Sequence, residues 1–72
     1  MNNDIYLLIG KNIKKYRESK KYTIEELSKI TKIDKNYLKE IEKNGVTGDI
    51  TFEKLNNICN SLNIKFIDLI QK

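Results

Sequence analysis

Apolar positions recur at helical spacing from one end of the chain to the other, with short polar breaks between them. Ile9, Ile13, Tyr16 and Arg17 stand at i, i+4, i+7 and i+8. This spacing predicts an amphipathic helix from about Asp4 to Lys20, with Lys11, Lys14, Lys15 and Glu18 on its wet face. Thr23 followed by Glu26, just ahead of Leu27, spells a capping box and starts a second helix that ends near Thr31. Only Lys32 and Ile33 intervene before Asp34, the next N-cap, which opens a helix over Lys35 to Lys43 with Leu38 and Ile41 turned to a core. Asn44-Gly45 and Gly48-Asp49 mark a C-cap and a loop, because glycine accepts the left-handed backbone that ends helices. Thr51 caps a fourth helix whose stripe is Phe52, Leu55, Ile58, Cys59 and Leu62. Asn63 breaks it, and Ile64, Phe66, Ile67, Leu69 and Ile70 make a short fifth helix. The pattern predicts an all-α, five-helix single domain.

Length and composition narrow the functional classes. Seventy-two residues make one domain at most, and a chain this short buries only about 60% of its unfolded surface. Apolar residues at 39% and charged residues at 33% are balanced enough to fold and too apolar for a disordered tail. The net charge is +4, and it is unevenly placed: residues 11–43 hold eleven basic and six acidic side chains, residues 44–72 three of each. A surplus of that sign and position favours an anionic partner.

A lone cysteine, Cys59, and the absence of histidine exclude an internal disulfide and structural zinc, so the cytoplasm is the expected compartment. The apolar run Ile5 to Ile9 is too short for a signal segment or a bilayer span, so no membrane partner is expected. Ser19, Ser28 and Ser61 stand in no nucleophile motif. No catalytic residue, metal, cofactor or small-molecule ligand is indicated, and an enzyme is the least expected class.

Residues 23–44 are the informative unit: a short helix, a tight turn and a second helix with its own cap. That is the order and spacing of a helix-turn-helix, whose second helix enters the DNA major groove N-terminus first. At ~100° per residue and with Lys35 as zero, Lys39, Lys43, Asn36 and Glu40 come at about 40°, 80°, 100° and 140°. Leu38 and Ile41 fall on the opposite side. One helix thus buries two aliphatic residues and shows an arc of three lysines, an amide and a carboxylate. The lysines form a like-charge ladder at i, i+4 and i+8, unfavourable by a few tenths of a kcal/mol per pair, which a polyanion would reverse. The plainer reading is a solvated face with Glu40 pairing Lys43.

Together the runs Ile9-Gly10-Lys11-Asn12-Ile13-Lys14-Lys15-Tyr16-Arg17, Thr23-Ile24-Glu25-Glu26-Leu27-Ser28, Ile33-Asp34-Lys35-Asn36-Tyr37-Leu38 and Ile41-Glu42-Lys43-Asn44 resemble the Xre/Cro-CI family of phage repressors and bacterial regulators. Leu62-Asn63-Ile64 and Leu69 extend the resemblance over nearly the whole chain, and Asp34 to Asn44 also looks like the recognition helix of restriction-modification controller proteins. The resemblance implies a compact, lambda-repressor-like fold over residues 1–72 that reads double-stranded DNA with helices two and three. It places Lys35, Asn36, Tyr37, Lys39 and Glu40 near bases or adjacent phosphates, Thr23 at a phosphate, and Lys43 and Asn44 on the flanking backbone. It also implies a partly buried ion pair between Arg17 and Glu42. Three positions depart from the family pattern. Ile24 replaces a phosphate-gripping Gln, Lys32 stands where the turn usually carries Gly, and the loop from Asn44 to Ile50 is about two residues longer than in common members.

The remaining expectations concern partners. The family core uses Ile64, Phe66 and Leu69, which leaves Ile67 and Ile70, with Ile5, Tyr6, Leu7 and Leu8, as surplus apolar surface for a homodimer on a pseudo-palindromic operator. The leading function is therefore a transcriptional regulator: a repressor, autoregulator or controller protein. The alternative is a protein-interaction module, an antitoxin or anti-regulator, favoured by the acidic Asp34 and Glu40 on the reading face. Tyr16 and Tyr22 are expected at the edge of the core, Cys59 as a packed small hydrophobe, and Phe52 and Phe66 too far apart to form a stacking platform.

Overall fold

The computed structural model describes residues 4–72, within which five α-helices follow one another: α1 (Asp4–Ser19), α2 (Ile24–Thr31), α3 (Lys35–Asn44), α4 (Phe52–Leu62) and α5 (Phe66–Leu69). Helix α1 packs on α3 and α5, α2 on α3 and α4, and α4 also meets α1 and α5. The seam between them is filled by Ile9, Ile13, Leu27, Ile33, Leu38, Ile41, Val46, Leu55, Ile58, Cys59, Leu62 and Leu69, all buried. Apart from Phe52, Phe66 and Ile67, the apolar stripes read from the sequence are the ones that meet here. Tyr16 and Tyr22 lie half-buried against this core.

Helices α2, α3 and α4 begin, and α1, α2 and α4 turn at their ends, where local chemistry dictates. The Thr23 hydroxyl accepts from the Glu26 amide at 3.0 Å while the Glu26 carboxylate accepts from the Thr23 amide at 2.8 Å, satisfying two otherwise orphaned donors. Asp34 Oδ2 accepts from the Asn36 and Tyr37 amides, and Thr51 Oγ1 from the Lys54 amide. Lys21, Lys32 and Asn63 adopt left-handed backbone at the ends of α1, α2 and α4. Lys32 therefore takes the conformation that favours glycine, at a cost of about 1–2 kcal/mol.

Two helix ends are secured by side chains from distant elements. Leu69 and Thr31 close α5 and α2, and their carbonyls lack intrahelical partners. Asn12 Nδ2, buried on α1, donates to the carbonyls of Leu69 (2.7 Å) and Gln71 (2.9 Å). Asn57 Nδ2 on α4 donates to the Thr31 carbonyl at 2.7 Å.

Close approach of α1 to the end of α3 depends on two glycines. A Cβ at Gly10 would lie 2.0 Å from the Ile41 carbonyl oxygen. Gly45 (φ 91°) leaves a Cβ no room either, 2.9 Å from the Tyr6 carbonyl oxygen, and that carbonyl accepts from the Val46 amide.

Several sequence expectations shift. Helix α1 stops one residue earlier, α3 runs one residue further, and Ile64 precedes α5, which ends before Ile70. Phe52, assigned to the core stripe, is 68% exposed, because as the first residue of α4 it projects beyond the packed layer. Phe66, expected in the core, is 40% exposed. These two rings are not far apart: their centroids lie 6.4 Å from each other at 57°.

Candidate nucleic-acid interface

Helix α3 presents the candidate surface. Its N-terminus is held by Asp34, and burial of Leu38 and Ile41 fixes its rotation about its axis. Lys35, Asn36, Lys39, Glu40, Lys43 and Asn44 are left exposed along the outer side, and Thr23 is exposed at the start of α2. Seven of the eight site residues read from the sequence are therefore solvent-accessible, six of them on a single helix.

Tyr37 is the exception. It lies half-buried against the core, and Lys54 Nζ of α4 sits 4.5 Å from its ring centroid, a cation–π contact. Burial raises the Tyr37 phenol above its ordinary range, with the negative charge of Asp49 acting in the same direction. Its ring joins α3 to α4, a supporting contact that helical spacing alone does not reveal.

The exposed arc is not a bare lysine ladder. Asn44 Nδ2 donates to Glu40 Oε2 at 2.6 Å, one turn away on the same helix. Glu40 thus takes Asn44 rather than Lys43 as its hydrogen-bonded partner. The bond orients the carboxylate and leaves its other oxygen to accept.

Behind α3 stands the ion pair. Arg17 Nε donates to Glu42 Oε2 at 2.7 Å and Nη2 to Oε1 at 3.0 Å, the two-pronged geometry that suits guanidinium to carboxylate. Arg17 Nη1 donates to the Tyr22 carbonyl at 2.7 Å. The two side chains are only 13% and 7% exposed. The hydrogen bond to Glu42 raises the Arg17 pKa further, so the guanidinium stays charged. One side chain thus joins α1, the corner before α2, and α3.

In front of that pair, α1, α2 and α3 frame an open groove lined by Lys14, Arg17, Ile24, Lys39, Glu42 and Lys43. Lys14 is the residue that sequence reasoning placed merely on a wet face. The 3.6-residue period does put it outward, but only docking of α1 on α3 sets it beside Lys39 and Lys43. Among the described residues, no group of three His, Cys, Asp or Glu side chains is placed to hold a metal ion, and no helix is long and apolar enough to cross a membrane.

A family model described as a helix-turn-helix domain matches residues 10–72. The chain is 35% identical over 63 residues to a protein named Antitoxin PezA from Streptococcus pneumoniae serotype 4. That alignment covers 88% of this chain and 39% of the relative, so the chain spans well under half of that relative's length. No solved structure gives a significant match.

Proposed function

Because this chain belongs to the helix-turn-helix domain family, we propose that it is a sequence-specific double-stranded DNA-binding transcriptional regulator, a repressor or autoregulator that reads the major groove with α3. The observation that carries this reading is the division of α3 into two sides. Leu38 and Ile41 are buried, while Lys35, Asn36, Lys39, Glu40, Lys43 and Asn44 face solvent on a helix presented by its capped N-terminus. Lysines supply the sequence-independent attraction to phosphate, and Asn36, Glu40 and Lys35 supply the hydrogen-bonding groups that distinguish base edges. Thr23, Lys43 and Asn44 are assigned to the backbone on either side, and Tyr37 to the near flank of the helix.

The proposed assembly is a cytoplasmic homodimer. Ile5, Tyr6, Leu7 and Ile67 are exposed, more apolar surface at the chain's two ends than the core covers. A two-fold dimer would present two copies of α3 about 34 Å apart, matching half-sites about ten base pairs apart in a pseudo-palindrome. Ile67→Asp should give a folded monomer with greatly weakened operator affinity, read by sedimentation and duplex titration. A wild-type monomer that binds its site as a single copy would rule the dimer out.

Selection from a random duplex library, followed by titration across a salt series, tests the reading as a whole. Enrichment of one motif and an affinity that falls steeply with salt are expected. A second reading, an antitoxin or anti-regulator whose helix-turn-helix scaffold binds protein, draws on the name of the relative and on the exposed Phe52–Phe66 pair. Binding that is insensitive to salt and confined to protein would favour it.

A further inference from the structure

We propose that Lys14 on α1 contacts a backbone phosphate of the duplex, forming with Lys39 and Lys43 of α3 a phosphate-binding groove across the seam between the two helices. The proposal rests on the DNA-binding reading above and extends it to a helix outside the helix-turn-helix unit.

The chemistry of the lining carries it. Of the six residues around the groove, Arg17 and Glu42 neutralise each other, and a third guanidinium N–H is held by the Tyr22 carbonyl. Ile24 is apolar. Lys14, Lys39 and Lys43 remain, all three exposed, and no unpaired carboxylate lines the groove with them. Glu26 is engaged with the Thr23 amide, and Glu18 and Glu25, whose charges reach Arg17, lie with it outside the lining.

Three like charges brought together from two helices repel, and an anion in their midst relieves that repulsion. The groove is open rather than enclosing, with ammonium groups on long flexible stems along its rim. Such a shape suits a chain of phosphates passing through it better than a single captured ion. A strand running beside the outer face of α3 would meet Lys39 and Lys43 on one side and Lys14 on the other. Because the contact is to phosphate, it adds affinity at every sequence and no base preference.

The test uses the full chain, the duplex selected above and a scrambled duplex of equal length, titrated by fluorescence anisotropy at several salt concentrations. Lys14→Ala should weaken both duplexes by the same factor, leave base preference unchanged, and reduce the slope of log affinity against log salt by about 0.9 for each bound protomer. Lys14→Arg should restore both. Lys11→Ala removes the same charge one turn earlier on α1, outside the groove, and should lose far less. The thermal melt of each variant should match wild type, since both residues are exposed. An unchanged salt slope in Lys14→Ala, or an equal loss in Lys11→Ala, overturns the proposal while leaving the reading by α3 intact. Wild-type protein that binds no duplex overturns the parent reading together with this one. Release of the duplex by millimolar inorganic phosphate at constant ionic strength would identify a free-ion site and also count against the proposal.

Discussion

Replacing Gly10 with alanine sets two physical effects of opposite sign against each other. Gly10 lies inside a sixteen-residue helix, where glycine is worth about 0.5–1 kcal/mol less than alanine. On helix propensity alone, Gly10→Ala should stabilise the protein. The packing reverses that sign. An alanine Cβ would fall 2.0 Å from the Ile41 carbonyl oxygen, with the Gly45 Cα at 3.1 Å. Both are main-chain atoms that cannot rotate away, and the Ile41 oxygen also accepts from the Gly45 amide at 2.9 Å. Ordinary contact requires α1 to move from α3 by more than an ångström, which loosens Ile9 and Ile13 against Leu38 and Ile41. Overpacking of this kind costs about 1–3 kcal/mol, occasionally more, and so outweighs the propensity gain. Subtracting that gain leaves a net loss of about 1 kcal/mol, which corresponds to a Tm lower by roughly 4–8 °C for a domain of this size. Far-UV circular dichroism melts of the two proteins decide the matter, and a variant melting at or above wild type would refute the packing argument.

Glu42→Ala leaves Arg17 without its carboxylate in a site 13% exposed. Removing one member of a buried pair costs about 3–5 kcal/mol, much of the stability of a small domain, so the variant should be largely unfolded by circular dichroism; a melt within a degree or two of wild type would dismiss the pair as a structural element. Lys35→Ala and Asn36→Ala should each cost about 1–3 kcal/mol on the selected duplex and relax preference at one base pair; anisotropy titrations showing wild-type affinity and preference would remove these residues from the reading face. Burial, seconded by Asp68, raises the Cys59 thiol above its ordinary value. The fold therefore favours the neutral form, so this contribution is fully present below the unfolded thiol pKa of about 8.5 and is lost as pH rises through the folded value. Denaturant melts should show a decline in stability above about pH 8.5 that is shallower in Cys59→Ala, and identical alkaline profiles would contradict the assignment.

Features whose cause is local were legible in the sequence. Thr23, Asp34 and Thr51 act on amides two or three residues away, and Asn63 ends α4 by its own backbone, so short motifs reveal them. The stripes of Ile9, Leu27, Leu38 and Leu62 follow from helical period alone. Features whose partners lie far along the chain were not legible. Nothing near Asn12 or Asn57 indicates that each will satisfy another helix's terminal carbonyl, and nothing near Gly10 shows that Ile41 will press against it. Phe52 misled because periodicity assigns a face but not whether the first residue of a helix reaches past its neighbours. On the outer face of α3 the same division holds. The exposed arc of α3 follows from angles, whereas the placement of Lys14 and the role of Lys54 over Tyr37 exist only once the helices dock.

The hydrogen bonds from Asn12 join residues 57 and 59 positions apart, in a chain whose other links are mostly between nearby helices. Local helices and corners form quickly, whereas closing a loop of nearly the whole chain must wait until the intervening helices have assembled. On this ground Asn12→Ala is expected to speed unfolding more than it slows folding, which a chevron of the two proteins reads directly. Helix α5 cannot peel away by itself either, because releasing Leu69 breaks its bond with Asn12 and parts α5 from α1. Opening of α5 is thereby tied to exposure of the buried Asn12 side of α1.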